Sequence, residues 1–246
     1  MGNIYLITGA SSDLAAAYIR WLDEKKEECI VLGQYYSHKE QMDILIAKSR
    51  FIKIIPYSVN LSNLEETDRW MEMILDDGYI PDHILHTAAE PFSYVRIPDF
   101  DWNELDRQLR IQVNTFGQMC KKILPKMGKN RFGKVVVILS AYVFDVPPKY
   151  MVNYIVTKYA LLGMMKSAAT EYAEKNVNIN AVSPGLMETK FLRNLESVQM
   201  EIAAKGMPLK RNIKVSEVVK SIEYLMSDAS DYMTGVNINL TGGSKM

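Results

Sequence analysis

Ile4-Tyr5-Leu6-Ile7-Thr8-Gly9-Ala10-Ser11-Ser12-Asp13-Leu14-Ala15 decides the fold. Four apolar residues run into a short stretch of small and hydroxylated ones, after which Leu14, Ala15, Ala17, Tyr18, Ile19 and Leu22 recur at helical spacing. The stretch reads as strand, tight turn, helix. Such a turn exposes backbone N–H groups at a helix N-terminus, where a phosphate gains both hydrogen bonds and a favourable dipole.

The same alternation continues outward. Residues 29–36 predict a second buried strand, 39–48 a helix and 52–59 a third strand, followed by a helix over 63–75 that Ser62 or Asn63 caps. A strand from His83 enters the small residues Thr87, Ala88 and Ala89. A long amphipathic helix is expected over 102–127, a strand over 134–140, a helix over 154–175 and a strand over 177–182 that Ser183-Pro184-Gly185 stops. After a less regular stretch over 186–211 come a helix over 215–226 and a last strand over 236–240. The strand over 134–140 shows no polar alternation, so both of its faces should be covered. With no repeat or linker, the economical architecture for residues 1–246 is one α/β domain: a doubly wound parallel sheet with helices on both faces.

Composition limits the function. Of 246 residues, 48% are hydrophobic and 24% charged, enough for one large core. Lys plus Arg and Asp plus Glu both number 29, so neither a basic field for nucleic acid nor an acidic excess is present, and nucleic-acid binding is disfavoured. No signal-peptide pattern and no run of about 18 apolar residues occurs, which predicts a cytoplasmic protein without a membrane partner. Cys29 and Cys120 have no metal-ligand spacing to His38, His83 or His86; buried thiols and no metal site are expected.

Tyr154 and Lys158 stand four apart at the start of a predicted helix and share a face. A free phenol, with a pKa near about 10, is a poor proton carrier at neutral pH. A nearby ammonium favours the phenolate and would bring the group towards useful proton transfer. Taken alone, the spacing fits equally a ring packed on a lysine stem.

Together these pieces resemble the short-chain dehydrogenase/reductase family, notably its 3-oxoacyl-[acyl-carrier-protein] reductase-like members, over essentially the full chain. Thr8-Gly9-Ala10-Ser11-Ser12-Asp13-Leu14-Ala15 sits where that family has its T-G-x-x-x-G-x-G cofactor loop. Ser140 closes a strand, and Tyr154 and Lys158 match the Y-x-x-x-K pair. Asn180 to Gly185 is similar to the N-x-x-x-P-G segment, and Asn114 matches a helix asparagine. The resemblance implies a Rossmann-like fold and a nicotinamide cofactor. It implies hydride transfer on a carbonyl/alcohol substrate, with Tyr154 as general acid or base and Lys158 lowering its pKa and holding the ribose. Ser140 is implied to anchor the carbonyl oxygen, and Asn114 to hold a water that links Lys158 to solvent. For Ser140 and Asn114, the residues alone also fit a strand-end cap and a helix kink. Cofactor contacts are implied for Thr8, Gly9, Ser11, Ser12, Asp13, Leu14, Tyr36, Ser37, His38, Asn60, Leu61, Thr87, Ala88, Ala89, Pro184, Gly185 and Thr189, besides Tyr154 and Lys158.

Several positions depart from the family pattern. Asp13 and Ala15 replace loop glycines, Asn60 stands for an aspartate, His86-Thr87-Ala88-Ala89 stands for N-N-A-G, and Ser140 and Tyr154 lie 154 − 140 = 14 apart with Pro147-Pro148 between them. Residues 34–39, Gln-Tyr-Tyr-Ser-His-Lys, carry no acid to bind ribose hydroxyls, so NADP(H) is favoured and NAD(H) remains possible. Leu186, Met187, Phe191, Leu192, Met200 and Met207 fit an apolar substrate lid over about 186–211, or an ordinary packed helix. The family also implies a homotetramer or dimer through the helices at 102–127 and 154–175. The alternative to an enzyme is a catalytically lapsed member serving as a cofactor-binding or structural partner subunit.

Overall fold

Seven strands form one wholly parallel sheet: β1 (Ile4–Thr8), β2 (Cys29–Tyr35), β3 (Ile52–Ser58), β4 (His83–His86), β5 (Gly133–Ile138), β6 (Val177–Pro184) and β7 (Asn237–Leu240). Their order is β3-β2-β1-β4-β5-β6-β7. The computed structural model describes residues 2–189 and 197–244.

Why the strands lack polar alternation is visible in their packing. Successive side chains point to opposite faces, and each face meets its own helical layer. Leu6, Leu32, Ile84, Val135, Val137 and Ile179 enter one core, while Tyr5, Ile7, Val31, Leu85, Val136 and Val182 enter the other. Helices α3 (Leu64–Asp76), α5 (Thr115–Lys122), α6 (Leu124–Asn130) and α7 (Val152–Tyr172) cover the first face, and α4 (Trp102–Leu109) packs against α7. Helices α1 (Asp13–Glu24), α2 (Lys39–Lys48) and α9 (Val215–Met226) cover the second. α8 (Ser197–Gly206) lies in the irregular stretch before α9. Pro56, which cannot donate to a ladder, lies in β3 at the sheet edge, where Pro is tolerated.

Asn63 caps α3 as expected, its Oδ1 accepting the N–H groups of Glu65 and Glu66. The expected helix over 102–127 is instead three pieces. A wide π-turn, Arg110–Asn114, follows α4, and Pro125 enters in the first turn of α6 after a break at Ile123. Hydrophobic spacing alone does not register either interruption. The expected helix over 154–175 begins two residues earlier and tightens into a 3₁₀ turn, Ala173–Lys175.

Trp70 is among the largest fully buried side chains and packs 6.1 Å from the Tyr57 ring. Trp70→Ala should therefore lower the unfolding free energy by about 3–5 kcal/mol, read from urea denaturation of the two proteins; a loss below about 1 kcal/mol would show that this face tolerates collapse.

Candidate active site

The register Thr8↔His86 places the carboxyl ends of β1 and β4 side by side, at the point where successive strands leave in opposite directions across the sheet. His86 is wholly enclosed there. Its Nε2 lies 2.8 Å from the Gln112 carbonyl and its Nδ1 2.8 Å from Thr8 Oγ1. Burial, with a smaller contribution from the Lys158 charge, pushes the imidazole down to about 4, so the ring is neutral at physiological pH. A carbonyl only accepts, so Nε2 carries the proton and Nδ1 accepts from the Thr8 hydroxyl. Thr8 Oγ1 in turn accepts the N–H groups of Thr87 and Ala88, each at 3.2 Å.

Gly9 makes the turn after β1 with φ of 61°, a left-handed conformation that glycine adopts without strain. A Cβ there would stand 3.0 Å from Thr87 Oγ1 and 3.1 Å from the Ala88 Cα. Gln34, on β2, holds this turn. Its Oε1 accepts the Gly9 N–H at 2.8 Å and its Nε2 donates to the Val59 carbonyl at 2.8 Å. Ser12 then caps α1, accepting the Ala15 N–H, and Asp13 occupies the first turn, where the helix dipole favours a carboxylate.

A cleft of about 830 Å³ opens from this turn across the carboxyl ends of the strands. Gly9, Ser11, Ser12, Asp13 and Leu14 line one part, Tyr36, Ser37, His38, Asn60 and Leu61 another, and Thr87, Ala88 and Ala89 the floor. Ser140, Tyr154, Lys158, Pro184, Gly185 and Thr189 complete the wall. Thr8 does not line it: its hydroxyl is spent behind the wall on His86 and two backbone amides. Nor does Asn114, which ends the π-turn with its Oδ1 buried and without a protein partner. Asn60 keeps its Oδ1 within its own turn, accepting from the Ser62 N–H and hydroxyl. A tight backbone approach at Gly9, a helix N-terminus and a crevice at the strand switch point fit a dinucleotide.

Ser140 lies two residues beyond β5, and Tyr154 and Lys158 project from the first turns of α7. The Ser140 hydroxyl hydrogen-bonds to the Tyr154 phenol. Lys158 Nζ donates to the Ile138 carbonyl at 2.9 Å and stands 5.6 Å from the Tyr154 ring centroid. The protein's own groups act on this pair mainly through burial. Burial pushes Tyr154 up to about 12, against the Ser140 hydrogen bond that favours the phenolate, and burial pushes Lys158 down to about 7. Desolvation penalises the charged form of each group.

Sequence reasoning passed over Gln34, Phe92 and Tyr142, which also line the cleft. Gln34 had a signal, a lone amide in an apolar strand. Phe92 and Tyr142 stand in loops with no spacing rule to reveal them. In the stretch over 186–211, Leu186, Met187, Ala203 and Met207 reach the cleft, whereas Phe191 and Leu192 lie outside the described residues.

Residues 9–245 match a family model described as enoyl-(acyl carrier protein) reductase. The chain belongs to the short-chain dehydrogenase/reductase family. This short-chain dehydrogenase/reductase is 29% identical to a 3-oxoacyl-[acyl-carrier-protein] reductase of Thermotoga maritima, over 98% of this chain and 97% of the relative. It is 27% identical to a nodulation protein G of a Rhizobium species, over 100% and 98% of the two chains. Its fold matches the crystal structure of a 3-oxoacyl-[acyl-carrier protein] reductase from Brucella melitensis with a TM-score of 0.87, at 21% identity over 99% and 91% of the chains. It also matches an NAD⁺-bound xylitol dehydrogenase with a TM-score of 0.84, at 23% identity over 98% of each.

The neutral His86 makes the short-chain dehydrogenase/reductase acid-sensitive. Its folded pKa of about 4 lies below the unfolded value of about 6.5, so the unfolded chain takes up the proton first and stability falls as pH drops through that window. His86 should contribute a loss of roughly 2 kcal/mol between pH 7 and pH 5, because each pH unit between the unfolded and folded pKa is worth about 1.36 kcal/mol. His86→Asn should flatten that slope in urea titrations at the two pH values; an unchanged slope would assign the acid sensitivity to other groups.

Proposed function

We propose that the protein is an NADP(H)-dependent oxidoreductase that moves hydride between nicotinamide and a carbonyl/alcohol pair. The observation that carries this reading is the convergence of Ser140, Tyr154 and Lys158 on one wall of the cleft that opens from the Gly9 turn. A chain released from turnover has no chemical need of that trio, which disfavours the partner-subunit alternative.

Bound nicotinamide supplies or accepts the hydride. In reduction Tyr154 would give its hydroxyl proton to the carbonyl oxygen as the carbonyl carbon accepts the hydride that a bound, reduced nicotinamide would supply. Burial keeps the phenol protonated at neutral pH, as a donor requires. Ser140 donates to the same oxygen, where negative charge grows. Lys158, buried and pushed down to about 7, exchanges a proton with little cost near neutrality and would hold the ribose. Asn114, with its unpartnered Oδ1 in the π-turn, would seat the water that reconnects Lys158 to solvent.

The end of β2 supports NADP(H). Tyr36, Ser37 and His38 line the cleft there without a carboxylate among them, and the Ser37 hydroxyl and His38 Nδ1 lie 3.0 Å apart at the start of α2. A 2′-phosphate meets donors and a helix N-terminus. With Cys29 and Cys120 both free, we place the enzyme in the cytoplasm. We also propose a dimer or tetramer built on α4, α5 and α7. Val156 and Tyr159, one turn apart on α7, are exposed apolar side chains that a second copy would cover.

NADPH fluorescence should change on mixing with the protein, with tighter binding than NADH; binding of neither at high micromolar concentration would refute the oxidoreductase, and tighter NADH binding would refute the cofactor choice. Tyr154→Phe should then lower hydride transfer by about 10²-fold or more while NADPH affinity stays within about twofold, and retained turnover would remove Tyr154 from the chemistry. Light scattering should give a mass two or four times that of the chain; a monomeric mass contradicts the assembly.

A further inference from the structure

The end of the cleft that holds Ser140 and Tyr154 is built from aromatic and apolar side chains. Phe92, Met151 and Tyr154 form a buried cluster separate from the two cores beside the sheet, and Tyr142, Leu186 and Met200 pack against it. The Phe92 ring lies 5.6 Å from the Tyr154 ring with an interplanar angle of 56°, and 5.5 Å from the Tyr94 ring at 84°. Tyr142 sits in the turn that follows Ser140, its N–H donating to Ser140 Oγ at 3.3 Å.

This wall is fastened rather than loose. Val95 N–H donates to the Tyr150 carbonyl at 2.7 Å, joining the loop that carries Phe92 to the loop that leads into α7. Arg107 Nε meets Glu90 Oε2 at 2.9 Å, tying the same loop to α4. Phe92, Tyr142, Leu186, Met187, Ala203 and Met207, all uncharged, line the cleft together with the paired Glu90 and Arg107. A cavity of about 830 Å³ lies within the size of a single-ligand site, roughly 300–1,000 Å³, yet dinucleotide and substrate must share it. The substrate part is correspondingly small.

Resting on the reading of Ser140 and Tyr154 as the carbonyl-facing pair, we propose that the substrate is a compact, uncharged ketone or alcohol with an aryl or unsaturated ring next to the reacting group, packed against Phe92 and Tyr142. Rings favour edge-to-face and offset contacts with other rings, and a pre-ordered wall spends little entropy in making them. Carrier-bound acyl chains and polyols gain nothing from such a wall.

The test compares 1-phenyl-2-propanone with 2-nonanone, which has the same carbon count, with an acetoacetyl thioester and with a ketose, using the full chain and NADPH. The aryl ketone should show the highest kcat/KM, about threefold to tenfold above 2-nonanone. Phe92→Leu and Tyr142→Leu should remove that preference, lowering kcat/KM for the aryl ketone more than for 2-nonanone. Preference for nonanone, thioester or ketose, or an unchanged preference in both variants, overturns the proposal. Saturation-transfer NMR of the ketone's ring protons separates this from the hydride-transfer reading. If nothing is reduced but ring contact is present in the wild type and lost in Tyr142→Leu, the aryl site stands and the reductase reading falls; no ring contact in the wild type sinks the aryl site.

Discussion

Parallel pairing of β1 with β4 in the register Thr8↔His86 is the constraint on which the site depends. Because β2 and β3 lie on one side of β1 and β4 to β7 on the other, the loops leaving the two strands diverge and open a crevice between them. The register then sets Thr8 and His86 at one level. Held neutral by burial, one imidazole joins β1 to the π-turn before α5 through the Thr8 hydroxyl and the Gln112 carbonyl. Removing the ring would orphan a hydroxyl and a carbonyl in a place water reaches poorly, each costing about 1–3 kcal/mol. The cleft floor, Thr87 to Ala89, follows directly from that joint, since the amides of Thr87 and Ala88 end on the same Thr8 oxygen.

The sheet was legible because its strands are apolar on both faces, and Val135, Val136, Val137 and Ile138 do divide between the two cores. The Tyr154–Lys158 face was legible because helical spacing is a local property. Other features depend on contacts between distant segments. The π-turn at Arg110–Asn114 presents a carbonyl to His86, 26 residues away in sequence, and no spacing of apolar residues encodes it. The loop motif does not reveal that the Thr8 hydroxyl meets His86 behind the wall of the cleft. Phe92 and Tyr142 escaped notice for the opposite reason. Each belongs to an irregular loop whose path is fixed by backbone contacts such as Val95 to Tyr150, so neither has a periodicity to read.

Burial is also the largest influence on the Tyr154–Lys158 pair, and sequence spacing does not report it. Spacing suggests an ammonium that draws the proton from a phenol. Packing places both groups where charge is costly, with Tyr154 raised to about 12 and Lys158 lowered to about 7. Both shifts favour the neutral pair, with tyrosine protonated and lysine unprotonated, over the ionised one.

For the proposed chemistry this asymmetry gives the two directions different requirements. Reduction begins from the phenol that burial already favours, and Ser140, hydrogen-bonded to that phenol, stands where the carbonyl oxygen gains charge. Oxidation must first ionise Tyr154, and among the protein's groups that favour this, the Ser140 hydrogen bond is the one that opposes desolvation. The same aromatic packing that shapes the substrate end, Phe92 against the Tyr154 ring, contributes to that desolvation. Substrate fit and proton affinity are thus coupled through one wall: opening it to water would ease ionisation of Tyr154 and weaken the contact surface together.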